Sequence, residues 1–304
     1  MTSATALQTQ NLTKHYGSVV GLESLNLDVQ QGEVLGYLGP NGAGKTTTIR
    51  AILGLIRPTA GSAAIFGIDT QRETVESHRR VAYVPGEASF WPSLTGMETL
   101  HLLGRVHGSV DIAFRDELMQ RFDFDPSRKV RTYSKGNRQK INLIAALATR
   151  ADLLIMDEPT SGLDPIMEQA FRHSVVEAKG RGQTIFLSSH ILEELEALCD
   201  RIGILRAGKL IELGTLAEMR HLSALTVDAT FDGRPPALDQ VEGVSNVHVE
   251  GGHVTFNVRG AVDPVLRVVA DHHPITLLSR QPSLEELFLA LYGAPDGSQV
   301  SEKQ

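Results

Sequence analysis

Residues 39–47 read G-P-N-G-A-G-K-T-T, and this stretch decides the fold. A glycine, four residues, a second glycine, a lysine and a threonine make the spacing of a phosphate-cradling loop. Gly39, Gly42 and Gly44 lack a Cβ, so the backbone can take positive φ there and press its N–H groups onto phosphate oxygens. Lys45 adds a flexible point charge for the outer phosphates. The Thr46 hydroxyl can enter a magnesium shell. Asn41, Ala43 and Thr47 complete the wall expected around a bound nucleotide. Upstream, Glu33–Leu38 reads as a buried strand. Downstream, Thr46–Leu55 reads as a helix with Ile49, Ile52 and Leu53 on one face. A strand feeding such a loop into a helix N-terminus is a ready anion site, because orphan amides and the helix dipole both point at the ligand. A nucleoside triphosphate with Mg2+ is the expected ligand.

The chain has 304 residues, 41% hydrophobic and 21% charged, with a net charge of −7 and a pI near 5.9. That length suits one large or two modest domains with a sizeable core. No global basic field recruits nucleic acid. The single cysteine, Cys199, cannot form an intrachain disulfide, which fits a reducing compartment. It follows a helical apolar pattern and reads as a small core residue rather than a nucleophile. The N-terminal M-T-S-A-T-A-L-Q-T-Q has neither the basic nor the apolar region of a secretory signal. No stretch offers about 18 uncharged apolar residues, so membrane work is expected to be peripheral.

Around the loop, residues 7–38 alternate apolar and polar positions, with Leu25, Leu27 and Val29 on one face. Ala63–Phe66 and Val81–Val84 read as further strands. Residues 95–122 turn helical, with Leu100, Leu103 and Val106 at helical spacing, and then Phe114, Leu118 and Phe122. Helix and strand alternate again from 136 to 205: helices at Gly136–Ala148, Pro165–Lys179 and Ile191–Cys199, strands at Leu153–Met156, Thr184–Leu187 and Arg201–Leu205. Such alternation predicts a mainly parallel sheet covered on both faces. From Leu225 the order is strand, short helix (Ala237–Glu242), strand, strand, helix, strand, a split ferredoxin-like unit. A last amphipathic helix is expected over Ser283–Leu291, opened by a Ser283/Glu286 capping box. Residues 293–304 read as a disordered tail.

Three further stretches carry chemistry. Leu153–Thr160 (L-L-I-M-D-E-P-T) puts an apolar strand in the core and presents Asp157 and Glu158 at its end. One carboxylate can hold magnesium through water, and its neighbour can orient an attacking water and take its proton. Tyr133–Lys140 (Y-S-K-G-N-R-Q-K) opens a helix, with Ser134 as a good N-cap and Gly136 keeping the approach to the amides open. Ser188-Ser189-His190 follows a strand and precedes the acidic residues Glu193, Glu194 and Glu196.

Together these motifs, in this order, resemble the nucleotide-binding subunit of ATP-binding cassette (ABC) transporters over about residues 6–220. Y-S-K-G-N is similar to the family signature, usually L-S-G-G-Q; Tyr133, Lys135 and Asn137 depart from it, while Ser134 and Gly136 keep the residues that face phosphate. Ser161–Asp164 (S-G-L-D) resembles the D-loop, His190 the switch histidine, and Tyr16 the aromatic that stacks on adenine. Where the family usually has a glutamine after Val84-Pro85, this chain has Gly86-Glu87, leaving Glu87 as the candidate for a water-mediated magnesium contact.

The resemblance implies an α/β phosphate-loop NTPase of ABC type: a mixed sheet core, an antiparallel β-subdomain and a helical insertion at about 88–150, followed by an α+β accessory domain at 222–292. It implies Lys45, Glu158 and His190 as catalytic, and Thr46, Asp157 and Glu87 around the metal. Two copies are expected to sandwich two ATP molecules, each phosphate loop facing the partner's Ser134, Lys135 and Gly136, with Asp164 nearby. The Y-S-K-G variant and the appended domain are similar to the subfamily that serves ABC-2-type permeases, drug and antibiotic exporters among them, at the cytoplasmic face of the cell membrane. A soluble ATPase of the same fold and a non-hydrolysing regulatory module are the alternatives.

Overall fold

A computed structural model describes residues 4–87, 89–221 and 225–280. The helix expected at Ser283–Leu291 and the tail at 293–304 lie outside them. Contacts divide the chain into two compact units, parting after Leu213.

The first unit opens with a long antiparallel ribbon, β1 (Thr5–Tyr16) and β2 (Val19–Gln30). Leu25, Leu27 and Val29 are all buried, as their alternation predicts. Next come β3 (Val34–Leu38), α1 (Lys45–Ile52), β4 (Ala60–Ile65), β5 (Ile68–Asp69), α2 (Thr74–His78) and β6 (Val81–Val84). The helical insertion follows as α3 (Gly96–His107), α4 (Ile112–Arg121) and α5 (Lys135–Ala148). The chain returns through β7 (Leu153–Asp157), α6 (Pro165–Gly180), β8 (Thr184–Ser189), α7 (Leu192–Glu196), β9 (Arg201–Arg206) and β10 (Lys209–Gly214).

Two sheets result. One is four-stranded, ordered β2-β1-β4-β5, with antiparallel pairings. The other is six-stranded, ordered β10-β9-β3-β8-β7-β6, with β9, β3, β8, β7 and β6 parallel. Every residue of β3, β7 and β8 is buried. Parallel strands covered on both faces need such unbroken apolar runs. Their side chains join Leu7, Leu25, Ile49 and Ile52 in one core, where the Tyr37 and Phe186 rings meet at 5.3 Å between centroids.

The insertion differs in detail from the sequence pattern. Its helical stretch breaks at Gly108, whose φ of 91° ends α3 in a left-handed cap. Leu100 is buried, but Val106 is exposed. The helix expected over Ile191–Cys199 is also shorter, five residues in α7.

The second unit contains α8 (Leu216–His221), β11 (Leu225–Phe231), β12 (Val244–Glu250), β13 (His253–Val258), α9 (Asp263–Asp271) and β14 (Pro274–Arg280). Its sheet order is β12-β13-β11-β14 with antiparallel pairings, which is that of a split β-α-β-β-α-β unit. The short helix expected at Ala237–Glu242 is not formed; that segment is loop and turn. Six residues between Pro235-Pro236 and Gly243 (φ 82°) are too few to repay helix nucleation. Leu238, buried, and Val241, partly buried, anchor the segment in the apolar core of Val227, Phe231, Phe256, Val265 and Val269.

Candidate functional site

The phosphate loop spans β3 to α1. Gly44 caps α1 at φ 110°, a conformation that side chains rarely adopt, and offers no side-chain cap. The first amides of α1 therefore remain available to an anion. Ala43 is buried, and Asn41 and Gly42 are exposed at the rim. Lys45 is buried; its Nζ donates to Gly39 O at 2.5 Å and Pro40 O at 3.2 Å.

Three parallel strand ends converge beside this loop. Asp157 closes β7, nearly fully buried, and both its oxygens are paired. Thr46 Oγ1 donates to Oδ2 at 2.8 Å, and Ser188 Oγ, from β8, donates to Oδ1 at 2.7 Å. Glu158 follows in a left-handed conformation, φ 49°, which is costly for a residue with a Cβ and persists where surroundings enforce it. Here its N–H is held by Ser188, through the carbonyl oxygen at 3.1 Å and Oγ at 3.2 Å. The turn aims the Glu158 carboxylate back at the loop. Oε1 is buried, 3.0 Å from Lys45 Nζ, as an ion pair off the hydrogen-bonding direction. Oε2 meets His190 Nδ1 at 2.5 Å. Lys45, Thr46, Asp157, Glu158 and His190 thus form one connected group.

The remaining predicted residues fall around it. Tyr16 ends β1, half-exposed. A Cβ placed on Gly21 would lie 2.9 Å from the Tyr16 ring and 3.2 Å from Thr47 Cγ2, so ring and loop share a wall. Lys14 Nζ sits 5.0 Å from the Tyr16 ring centroid, within cation–π range. Gly86 packs against Asp157; a Cβ there would come 3.2 Å from the Asp157 carbonyl oxygen. Glu87 is exposed. Tyr83, two residues before the Val84-Pro85 step ends, has its phenol pushed up to about 12 by burial and by the Asp157 charge.

The signature residues form a second group with the D-loop. Ser134 caps α5, its Oγ accepting from Asn137 N at 3.2 Å. Lys135 Nζ donates to Ser161 Oγ at 2.8 Å. A Cβ on Gly136 would meet Gly162 O at 2.4 Å, so only glycine permits this approach. Asp164 caps α6, its Oδ1 accepting from Ile166 N and Met167 N, both at 3.0 Å.

Sequence reasoning missed two contributors. Ser188 organises both acids, and Gln139 Nε2 donates to Pro159 O at 3.0 Å, tying α5 to the loop after Glu158. The available signal was a polar residue at a position that the pattern buries. Cys199 fits the core reading: burial raises its thiol pKa, and a Cβ on Gly36 would meet its Sγ at 2.8 Å.

A phosphate loop whose lysine meets an acidic strand end that a histidine also reaches, on a parallel sheet flanked by an antiparallel sheet and a helical insertion, defines a phosphate-loop nucleoside triphosphatase of cassette architecture. The family model described as ABC transporter matches residues 22–161. The linearmycin resistance ATP-binding protein LnrL of Bacillus subtilis is 33% identical over 306 residues, 94% of this chain and 98% of its own length. The daunorubicin resistance ATP-binding protein DrrA3 of Streptomyces coeruleorubidus is 36% identical over 314 residues, 98% of each chain. A solved ATP-binding subunit of an ABC transporter superposes with a TM-score of 0.66 at 33% identity, covering 71% of this chain and 92% of that one. The chain belongs to the ABC transporter family, as an ATP-binding subunit of the ATP-hydrolysing kind.

Proposed function

We propose that this subunit energises a membrane exporter of antibiotic or drug-like compounds, closing in pairs over ATP at the cytoplasmic face of an ABC-2-type permease. The observation that carries the hydrolytic reading is the linked set Lys45–Glu158–His190 beside the phosphate loop. A carboxylate that a lysine and a histidine both reach is placed to take a proton from water while those two side chains turn to the terminal phosphate. Glu158 is assigned as general base, His190 as the contact to the γ-phosphate, and Lys45 as the cation for the outer phosphates. The donors at Thr46 and Asp157 are all oxygen, which suits Mg2+; these two residues, with Glu87 through water, would hold it.

The grouping of Ser134, Lys135 and Gly136 on Ser161–Gly162 supports a role toward a second copy, where α5 presents its N-terminal amides to the partner's nucleotide. Tyr16 is assigned to adenine, and Asp164 to the same interface. Two relatives that span the chain almost end to end carry names of linearmycin and daunorubicin resistance, which supports the class of cargo. Among the described residues no helix is long and apolar enough to cross a membrane.

The test is Glu158→Gln. Loss of a general base lowers turnover about 10²–10⁴-fold, while ATP binding persists and ATP-bound dimer accumulates. Phosphate release at the parent rate removes the assignment.

A further inference from the structure

Behind His190 lies a buried acid that the proposed chemistry does not use. Glu194, on α7, is 3% exposed. Its Oε2 accepts from Ser189 Oγ at 2.5 Å, and that Oγ accepts in turn from Ile191 N at 3.0 Å. Both bonds bracket His190 in the chain. The other oxygen, Oε1, is buried without a hydrogen-bond partner. The Thr160 hydroxyl also reaches this carboxyl and favours its charged form. Thr160 lies two residues after Glu158, in the loop that Gln139 anchors through Pro159 O. Burial dominates the carboxyl's ionisation and raises its pKa, with Glu168 and Glu158 adding like-charge repulsion.

We propose that Glu194 is a positioning residue that ties the strand end carrying His190 to the loop following Glu158, through the hydroxyls of Ser189 and Thr160. Three observations point the same way. An acid with one buried oxygen unpaired is costly unless it serves something. Its one completed bond grips the residue next to His190. The Thr160 hydroxyl, from the loop that follows Glu158, reaches the same carboxyl. Both ends of the tie are hydroxyls, which can donate to this carboxyl or accept from the amide of a glutamine in its place. The tie sets the approach of Nδ1 to the Glu158 carboxylate, and small displacements of such groups lower rates steeply.

The inference rests on the assignments of Glu158 and His190, and the experiment separates the two. ATP turnover, KM for ATP, nucleotide affinity and thermal stability are measured on the full chain for Glu194→Ala, Glu194→Gln, Ser189→Ala and Glu158→Gln. The expected result is a kcat about tenfold lower in Glu194→Ala with KM within about twofold of the parent, and recovery of most of that loss in Glu194→Gln, which keeps an acceptor for Ser189 and a donor for Thr160. An unchanged kcat in Glu194→Ala overturns the proposal. So does an equal loss in Glu194→Gln, since charge would then matter rather than the tie, and so does a parallel fall of affinity and melting temperature, the mark of general packing. Should Glu194→Ala not fold, Ser189→Ala breaks the same tie from its other end: a matching kcat loss supports it, and a parent-like kcat refutes it. Parent-like turnover in Glu158→Gln instead overturns the base assignment, and with it the purpose of the tie.

Discussion

Ser188 shows how one hydroxyl can organise two acids. It is fully buried, donates to Asp157 Oδ1 and accepts from the Glu158 amide. Removing it leaves a buried carboxylate oxygen short of a donor and frees a left-handed turn that nothing else in β8 grips by a side chain. Ser188→Ala is expected to lower stability by about 1.5–3 kcal/mol, the range for hydrogen bonds to charged groups, read as a lower denaturant midpoint in the absence of nucleotide, and to lower turnover as well. An unshifted midpoint would show that the Asp157 carboxylate is satisfied without it. Gly86 makes the converse argument. Its missing side chain is space that Asp157 occupies, so Gly86→Ala crowds the carbonyl at 3.2 Å and is expected to destabilise by about 1 kcal/mol, the low end of overpacking; a gain in melting temperature would contradict it. Such contacts explain which site residues the chain itself disclosed. Gly39, Gly44, Lys45 and Thr46 were readable because the spacing that marks them lies within one short stretch of chain. Ser188 was not, because what defines it is a partner on another strand, 31 residues away, and Glu194 was not, because nothing in its local pattern marks a buried acid.

Helix ends settle a second question, namely what Asp164 is for. In the structure its carboxylate is taken up by the amides of Ile166 and Met167, with Pro165 filling the first turn where no amide is needed. This is a helix cap first. Asn caps as well as Asp, whereas Ala does not. Asp164→Ala is therefore expected to lower stability by about 1 kcal/mol and Asp164→Asn by far less, measured by thermal or urea unfolding without nucleotide. Equal losses would mean that the charge, rather than the cap, matters to α6. The elements themselves were well marked where long periodic runs met good caps, as in α5, opened by Ser134, and in β3, β7 and β8, each built on a short apolar run. They were poorly marked where a run was short. Ala237–Glu242 has helical composition, but one buried leucine is too little tertiary contact to hold six residues in a helix. Likewise α3 and α4 are separate because Gly108 ends the first in a left-handed cap.

Assembly follows from what each copy keeps apart. Lys45, Glu158 and His190 form one group, while Ser134, Lys135 and Gly136 form another against Ser161 and Gly162. If the second group acts on a neighbour's ATP, a lone chain lacks half the donors its own nucleotide needs, and hydrolysis must depend on pairing. Specific activity is then expected to rise with protein concentration and to level off once dimer predominates, because association is a mass-action equilibrium. Glu158→Gln, which binds without cutting, should elute as dimer with ATP and as monomer with ADP. Lys135 brings a positive charge to the second group, so part of the pairing should be electrostatic and weaken with added salt; Lys135→Gly should flatten that salt dependence while leaving binding of ATP to the isolated chain intact. Specific activity that stays constant over about a hundredfold dilution through the dimer's dissociation range would mean that each copy completes its own site. The Lys135–Ser161 bond would then be no more than a local brace between α5 and the loop before α6.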